Sequence, residues 1–281
     1  MTAPDFLAIG HVAKDIVPGG WRLGGTVTHA AVQGQRLGLQ AAVVTRSAGD
    51  LGLEQLLPDI QVRRIPSETT TTFENRYDSG RRIQYVWEQA PPIGPEHVPQ
   101  EWRRARMVLL GPVLGEVPIG LGRLFSGSLV GYCPQGWLRD VRSDGLVLRR
   151  PWARAASLRG GDVLVVSEED VEGDDVALEV WVRDVPVVVV TEGRRGARVH
   201  ADGRWRHIDA FPQEELDPTG AGDVFAAAFM VSLHESGDVA VAARFAAAAA
   251  SLSVSGAGAA AVPTRDKIEQ VLADHPEVRL R

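Results

Sequence analysis

Short runs of apolar residues, each bounded by turn-forming residues, recur along the chain and predict buried strands. Within a run the apolar residues are consecutive rather than alternating with polar ones. This pattern is typical of parallel strands that are covered by helices on both faces. The runs are Phe6–Ile9, Ala41–Val44, Met107–Leu110, Val163–Val166 and Val187–Val190.

Segments whose apolar positions have helical spacing lie between or after these runs. They are Thr26–Leu37, Asp170–Val182, Thr219–Leu233, Val239–Leu252 and Thr264–Leu272. Strands that alternate with helices in this way predict an α/β fold. We therefore expect a three-layer αβα sandwich with a mainly parallel central sheet.

One segment departs from this pattern, because Thr69–Glu88 alternates apolar and polar positions and is rich in β-branched and aromatic residues. Asp78-Ser79-Gly80 in its middle predicts a hairpin turn. An antiparallel hairpin does not fit inside a parallel sheet, so we expect it to project as a lid or a dimer surface. The Pro91-Pro92 pair marks the return to the main domain.

The composition sets limits on the class of protein. The 281 residues are 44% hydrophobic and 23% charged, which suits one large α/β domain better than two equal ones. A net charge of −6 gives no basic surface for a nucleic acid. The stretch Phe245–Val262 is uncharged but rich in Ala, Gly and Ser, so we expect a packed helix there and no membrane span. With no signal peptide evident at the start of the chain, these features predict a cytoplasmic protein.

The segment Asp217–Asp223 carries the clearest chemistry. Gly220, Ala221 and Gly222 precede an apolar helix, so the backbone N–H groups at its positive end stay uncovered and can bind phosphate oxygens. Asp223 lies in the first helical turn, where a second negative charge would oppose passive phosphate binding. A general base that takes the proton of an acceptor hydroxyl explains it better. A purely structural role, in which the glycines turn the chain and Asp223 complements the helix dipole, is the alternative.

The longer pattern Asp217-Pro-Thr-Gly-Ala-Gly-Asp223 resembles the C-terminal signature of the ribokinase-like, or PfkB-type, carbohydrate kinases. Gly24-Gly25, Leu37-Gly38 and Gly49-Asp-Leu-Gly52 are similar to the glycine series in the N-terminal half of that family. Thr191-Glu-Gly-Arg-Arg-Gly-Ala197 is similar to its nucleotide loop. The resemblance implies an ATP-dependent kinase with a single ribokinase-like α/β domain over residues 1–281. It also implies a small β-lid, contributed mainly by about residues 12–24 and 60–92.

The resemblance also implies roles for individual residues. Asp223 is the expected base, and the amides of Gly220, Ala221 and Gly222 are the expected anion hole. The nucleotide site is expected at Thr191, Gly193, Gly196 and Thr219. The acceptor site is expected at Asp15, Gly24, Gly25, His29 and Arg139.

The chain departs from the family pattern at two places. Many members carry N-x-x-E after the central strand, linked to Mg²⁺, where this chain has Ser167-Glu-Glu-Asp170. Asp170 is the expected Mg²⁺ residue, because a shorter carboxylate can still hold the water around Mg²⁺. His29 stands where sugar kinases often have Asn, so it is expected either to contact the acceptor or to be a buried structural histidine.

Other enzyme classes fit the sequence less well. A P-loop is excluded because Lys14 and Lys267 are the only lysines and neither follows a glycine. Gly256–Ala261 imitates a dinucleotide fingerprint but follows a helix rather than a strand. The histidines show no zinc-site spacing. A non-catalytic sugar-binding protein of the same fold remains the alternative from another class, and the presence of Asp223 argues against it.

The acceptor is left open between two kinds of small molecule. Gly10-His11, Asp15, Gly24-Gly25 and Gln135–Arg139 resemble inositol kinases of this family, which implies a sugar or cyclitol, that is, a polyol substrate. A nucleoside is the alternative, since aromatic residues of the hairpin could stack on a base; these are Phe73, Tyr77, Tyr85 and Trp87. The hairpin would expose an unpaired edge, so a homodimer through the β-lid is also expected.

Overall fold

The computed structural model describes residues 2–78, 81–153 and 156–281. Ser79 and Gly80 of the predicted hairpin turn lie outside the described residues. In the described part of the chain the strands are β1 (Phe6–Ile9), β2 (Ala13–Val17), β3 (Gly20–Gly24), β4 (Ala41–Ser47), β5 (Gln61–Pro66), β6 (Thr72–Asp78), β7 (Arg81–Glu88), β8 (Met107–Leu110), β9 (Leu129–Tyr132), β10 (Arg139–Val141), β11 (Val147–Arg149), β12 (Val163–Ser167), β13 (Val187–Thr191), β14 (Ala197–Ala201) and β15 (Arg204–Ile208). The α-helices described are α1 (Thr26–Arg36), α2 (Leu53–Leu56), α3 (Glu168–Val171), α4 (Asp175–Asp184), α5 (Ala221–Ser236), α6 (Val239–Ser253) and α7 (Arg265–Asp274).

Nine strands form the large sheet in the order β15-β14-β13-β12-β9-β8-β1-β4-β5. Neighbours from β13 to β5 run parallel, whereas β14 and β15 are antiparallel to the strands beside them. The five predicted strands all lie in this sheet. The sequence pattern missed β5, β9, β14 and β15. Of these, β14 alternates buried and partly buried positions, and β15 is buried only at its last residue. Both therefore lack the continuous apolar run.

Both faces of the large sheet are covered, which confirms the predicted three-layer sandwich. Along β1, Phe6 and Ala8 pack with α1, α5, α6 and α7, whereas Leu7 and Ile9 pack on the opposite face with α4. Successive side chains of a strand point to opposite faces, so a strand buried on both sides needs an unbroken apolar run. This is the physical reason that five strands of the sheet could be predicted.

The predicted helix Asp170–Val182 is in fact two helices, α3 and α4. The chain breaks at Gly173, whose backbone has a φ of 71°, in the left-handed region that favours glycine. Asp174 then caps α4, because its side chain accepts a hydrogen bond from the amide of Ala177. The break ends α3 after one turn, directly beyond the carboxyl end of β12.

A second, four-stranded sheet has the order β3-β2-β6-β7, and we call it the lid sheet. Strands β2 and β3 pair antiparallel, as do β6 and β7, whereas β2 and β6 run parallel. The predicted lid range of about residues 60–92 extends too far toward the N-terminus. Gln61–Pro66 forms β5, which pairs parallel with β4 at the edge of the large sheet, because its backbone continues that ladder.

The strand order reverses at β1, because the chain adds β4 and β5 on one side of it and β8 and β9 on the other. In open α/β sheets such a switch point leaves a crevice at the carboxyl ends of the strands, where ligands bind. Helix α5 contacts β8, β9 and β12 beside that crevice. It approaches β9 closely because Gly131 has no side chain, and a Cβ there would lie 2.3 Å from the Met230 sulfur.

Among the described residues, no helix is both long and apolar enough to cross a membrane. The first half of the Ala-rich stretch, up to Ser253, belongs to α6, which packs against α5 inside the sandwich, whereas the rest of the stretch lies beyond the end of this helix.

Gly25 and Gly38 provide a matched test of the junction between the lid sheet and α1. Both have a left-handed backbone, with φ of 90° and 88°, but a Cβ at Gly25 would lie 2.5 Å from the His11 carbonyl oxygen, whereas none of the described atoms lies within 4 Å of one at Gly38. We expect Gly38→Ala to lower the free energy of unfolding by about 1–2 kcal/mol. We expect Gly25→Ala to lower it by about 3–5 kcal/mol, because backbone strain and a steric clash add. Equal losses in denaturant unfolding would show that the contact with His11 is not tight.

Candidate active site

Asp223 lies in the first turn of α5, and its side chain is 22% exposed. Burial raises the pKa of Asp223, and the nearby carboxylate of Asp170 raises it further. The charges of His29 and Arg139 and a hydrogen bond from Thr26 act in the opposite direction. A carboxylate whose proton affinity is raised above that of a solvated one suits proton abstraction.

The backbone at the start of α5 provides donors next to this carboxylate. Gly220 has a φ of 83°, and its carbonyl accepts the hydrogen bond of the Val224 amide. The predicted anion hole needs one correction, because the amide of Ala221 is not free: it donates to the Pro218 carbonyl at 3.2 Å. Within the described residues, the amides at positions 220, 222 and 223 have no hydrogen-bond partner. These amides can therefore bind an anion at the positive end of α5.

His29 is buried beside the Asp223 carboxylate. The imidazole is 3% exposed, and its Nδ1 lies 3.8 Å from Asp223 Oδ2 and 3.4 Å from the Gly25 carbonyl. The ring packs on Gly220, where a Cβ would lie 2.5 Å from His29 Cδ2. Of the two expectations for His29, the structure therefore favours the buried histidine that supports Asp223 and Gly220.

Arg139, at the start of β10, faces Asp223 and lowers its pKa. The Arg139 guanidinium donates to the Val113 carbonyl at 3.1 Å and lies 5.9 Å from the ring centroid of Phe73 in the lid sheet. The expected acceptor residue Arg139 is thus placed between the base and the lid sheet.

Asp15, on β2, is 8% exposed and lies directly opposite Arg22 of β3. The carboxylate of Asp15 lies against Gly24, where a Cβ would be 2.0 Å from Asp15 Oδ2. Phe73 of β6 pairs with Asp15 from the other side. Gly24 therefore makes room for the Asp15 carboxylate, and Gly25 lets the chain pass close to His11. These two glycines explain how the lid sheet joins α1.

The predicted nucleotide loop follows β13. The side chain of Thr191 donates to the Val166 carbonyl at 3.3 Å, and the chain then turns at Gly193 with a φ of 58°. A Cβ at Gly196 would lie 2.0 Å from the Ile208 carbonyl oxygen, so a close approach of β15 explains this glycine independently of any ligand. The amide of Thr219 donates to Asp217 Oδ1, which holds the start of the Asp217–Asp223 segment in shape.

Asp170 lies at the end of α3, and Gln135 donates to it at 3.1 Å. Among the described residues, no group of three or more His, Cys, Asp or Glu side chains is arranged as a metal site. The single carboxylate of Asp170 fits a partly hydrated Mg²⁺, which proteins often hold through one or two carboxylates and substrate phosphates. The buried thiol of Cys133 has a pKa well above its ordinary value, because of burial and the charges of Asp223 and Asp170, so it stays protonated.

The sequence pattern missed a buried polar junction that ties the two ends of the lid hairpin to β1. The His11 ring accepts from the Thr71 hydroxyl at 2.8 Å through Nδ1 and donates to the Pro91 carbonyl at 3.0 Å through Nε2, which is the arrangement of a neutral imidazole. Burial lowers the pKa of His11, in agreement with this neutral form. The carboxylate of Glu116 accepts the His11 amide at 2.9 Å. Only the proximity of His11 to the end of the first strand could have suggested this role.

The chain was compared with known protein families and with curated relatives. The profile of the pfkB carbohydrate kinase family matches residues 166–265. A ribokinase from Bacillus subtilis is 48% identical over 85 residues, which is 30% of this chain and only 29% of that protein. A cytidine kinase from Thermococcus kodakarensis is 28% identical over 80% of this chain and 87% of that protein. An inositol 3-kinase from Oryza sativa is 31% identical over 63% of this chain and 40% of that protein.

Solved structures show the fold over nearly the whole chain. A sulfate complex of a pyrophosphate-dependent kinase in the ribokinase family has a TM-score of 0.80 at 24% identity, covering 95% of this chain and 99% of that chain. Arabidopsis thaliana ribokinase, complexed with ribose and ATP, has a TM-score of 0.74 at 22% identity, covering 96% of this chain and 99% of that chain. The architecture described above is therefore the ribokinase-like fold.

The position of His29 predicts how the proton affinity of Asp223 changes when the imidazole is removed. The charge of His29 lowers the pKa of Asp223, so His29→Asn should raise it. A base with a higher pKa loses its charge earlier as the pH falls, so the titration should move to higher pH. The carboxyl ¹³C shift of Asp223, assigned with Asp223→Asn, measures this without any substrate. His234→Asn, at the far end of α5, is the matched control, and an unchanged titration in His29→Asn would contradict the prediction.

Proposed function

We propose that this chain, which belongs to the PfkB family of carbohydrate kinases and is a phosphotransferase, transfers the γ-phosphoryl group of ATP to a hydroxyl of a sugar or cyclitol. One observation carries the proposal: the Asp223 carboxylate stands beside free backbone amides at the positive end of α5. A base and an anion site in contact are what in-line transfer to a hydroxyl requires. ATP would lie toward Thr191, Gly193, Gly196 and Thr219, and the cytoplasm is the proposed setting.

In the proposed reaction, Asp223 takes the proton of the acceptor hydroxyl as the new O–P bond forms. The bond between the γ-phosphorus and its bridging oxygen breaks, and the leaving diphosphate keeps the electron pair. The amides at positions 220 and 222 hold the oxygens of the transferred group, where charge is concentrated. Asp223 then returns its proton to water as the products leave. The charge of Arg139 and, when the imidazole is protonated, that of His29 lower the pKa of Asp223 and so favour its ionised form.

Mg²⁺ is the proposed metal, and Asp170 is the residue that would hold it through water. When bound, Mg²⁺ would neutralise charge on the donor phosphates. Gln135 orients the Asp170 carboxylate by donating to it. No further metal ligand is assigned.

The acceptor is proposed to bind between β2 of the lid sheet and Arg139. Asp15, which accepts hydrogen bonds, and Arg139, which donates them, suit a molecule with several hydroxyls. A nucleoside is the second candidate, favoured by the alignment with the cytidine kinase over 80% of the chain. Among the aromatic side chains that the structure describes in the hairpin, Phe73 is buried and faces inward, whereas Tyr85 and Trp87 contact Arg76 on the outer face of the lid sheet. The side chain of Tyr77 lies outside the described part of the chain. Stacking on a base would therefore depend on Phe73.

The assignment of Asp223 is tested by Asp223→Asn, which keeps the shape of the side chain but cannot take a proton. Turnover should fall by roughly 10²–10⁴, because general base catalysis is typically worth that much. Binding of the donor and the melting temperature should change little. ATP and inorganic pyrophosphate are each screened as donors against pentoses, hexoses, inositols and nucleosides. Near-normal turnover in Asp223→Asn would show that Asp223 is not the base. No turnover of the wild type with any pair of substrates would overturn the proposed function.

We further propose that the outer face of the lid sheet binds a second copy of the chain. Ile16, Trp21 and Trp87 on this face are 40%, 42% and 55% exposed. Burying such large side chains in a dimer would remove apolar surface from water. The double variant Trp21→Ser, Trp87→Ser should therefore shift the protein toward monomer in sedimentation velocity, while Trp205→Ser on β15 should not. A wild-type monomer at every concentration tested would contradict this arrangement.

A further inference from the structure

Arg22 is the basic residue that connects the lid sheet to the phosphoryl-transfer segment. On the β2–β3 ladder Arg22 lies opposite Asp15, and the next pair along is Ile16 and Trp21. Directly opposed side chains share one face of a sheet, and neighbours along a strand alternate. Since Ile16 and Trp21 are exposed on the outer face, Asp15 and Arg22 both point toward the large sheet. Arg22 and the expected acceptor residue Asp15 are therefore on the same inner face.

The guanidinium of Arg22 reaches the segment that begins α5. Nη1 donates to Asp217 Oδ2 at 2.6 Å, and Nη2 lies 3.5 Å from Thr219 Oγ1. Within the described residues these are its hydrogen-bond partners, although a guanidinium has five N–H donors. The side chain is 32% exposed, so the remaining donors are open to an incoming anion. Arg22 is thus held beside Thr219, the residue that precedes Gly220.

The charges around the segment favour a cation at this place. The segment carries Asp217 and Asp223, Asp170 lies close enough to raise the pKa of Asp223, and Asp15 lies opposite Arg22 on the ladder. A polyphosphate donor adds further negative charge. The chain has no P-loop lysine to offset that charge, and Arg139 already donates to the Val113 carbonyl on the side facing Phe73. Arg22 is the cation bonded to the segment itself.

A second observation points to a ligand beside Gly220. The Nε2 atom of His29 is buried and has no hydrogen-bond partner among the described residues, and it lies 2.6 Å from where a Cβ of Gly220 would be. Buried polar atoms are almost always paired, so this unpaired nitrogen beside free amides points to a ligand that binds there.

We propose that Arg22 binds phosphoryl oxygens of the donor and exchanges part of its bonding from Asp217 to them when the donor enters. This inference rests on the proposed function. Because Arg22 stands on the same inner face of the lid sheet as Asp15, its contact with the donor brings the acceptor side of the site into place at the same time. An arginine suits this role, since its planar fork pairs with phosphate oxygens through two hydrogen bonds.

Equilibrium binding of ATP–Mg²⁺ and of inorganic pyrophosphate to the intact chain, measured by calorimetry, tests the proposal. Arg22→Ala should weaken binding of the donor that supports turnover by about 10- to 100-fold, the usual effect of losing a hydrogen bond to a charged group. Arg22→Lys should weaken it less, because the charge stays and the fork is lost. Arg22→Gln, which can still donate to Asp217, should behave like Arg22→Ala, and it serves if the alanine variant fails to fold.

Asp217→Asn separates donor binding from a merely structural ion pair. It keeps an oxygen for the Thr219 amide but removes the charge that holds Arg22, so donor binding should be unchanged or tighter. Arg76→Ala, on the outer face of the same sheet, is the matched control and should have no effect. If Asp217→Asn and Arg22→Ala weaken donor binding equally and lower the melting temperature equally, the ion pair between Arg22 and Asp217 is only structural and the proposal is wrong. Unchanged donor binding in Arg22→Gln would also overturn the proposal, whereas failure of the wild type to turn over any donor would overturn the proposed function instead.

Discussion

The site depends on one constraint: Asp223 must stay ionised although it is partly withdrawn from water. Burial and the charge of Asp170 favour its neutral form, while His29, Arg139 and a hydrogen bond from Thr26 favour the carboxylate. The opposing effects leave Asp223 with a proton affinity above that of a solvated carboxylate. Asp170 lies on α3, Arg139 on β10, and both His29 and Thr26 on α1. Elements distant in the chain therefore set the proton affinity of one side chain together.

A second level of organisation joins the lid sheet to this base. His11 ties the two ends of the lid hairpin to β1, and Gly24 and Gly25 let β3 pass into α1 without a side chain in the way. Arg22 then links β3 to the segment that starts α5. The lid sheet and the start of α5 are therefore connected through short covalent and hydrogen-bonded paths. A displacement of the lid sheet would be transmitted to Gly220 through Arg22 and Asp217.

The features that could be predicted from the sequence are those that depend on residues close together in the chain. Five strands of the large sheet could be predicted because burial on both faces demands a continuous apolar run, and the segment Asp217–Asp223 because its glycines and aspartate are adjacent. The edge strands β5 and β15, and β14 beside β15, lack that demand and were missed. The central strand β9 was missed because Gly131 interrupts its apolar run. Arg22 and His11 were not assigned roles because their partners are distant in the chain, and the position of His29 beside Asp223 depends on how α1 packs beneath α5. The occupied amide of Ala221 likewise follows from a turn geometry that residue types do not specify.

Chemical rescue tests the central claim, that Asp223 acts as the general base, most directly. In Asp223→Ala, formate or acetate added to the assay can enter the space left by the side chain and take the acceptor proton in its place. The account predicts that turnover rises in proportion to the added carboxylate and increases with the pKa of its acid. Asp217→Ala should show no such rescue. A rate in Asp223→Ala that is independent of the added carboxylate, or that rises equally in both variants, would contradict the assignment of Asp223.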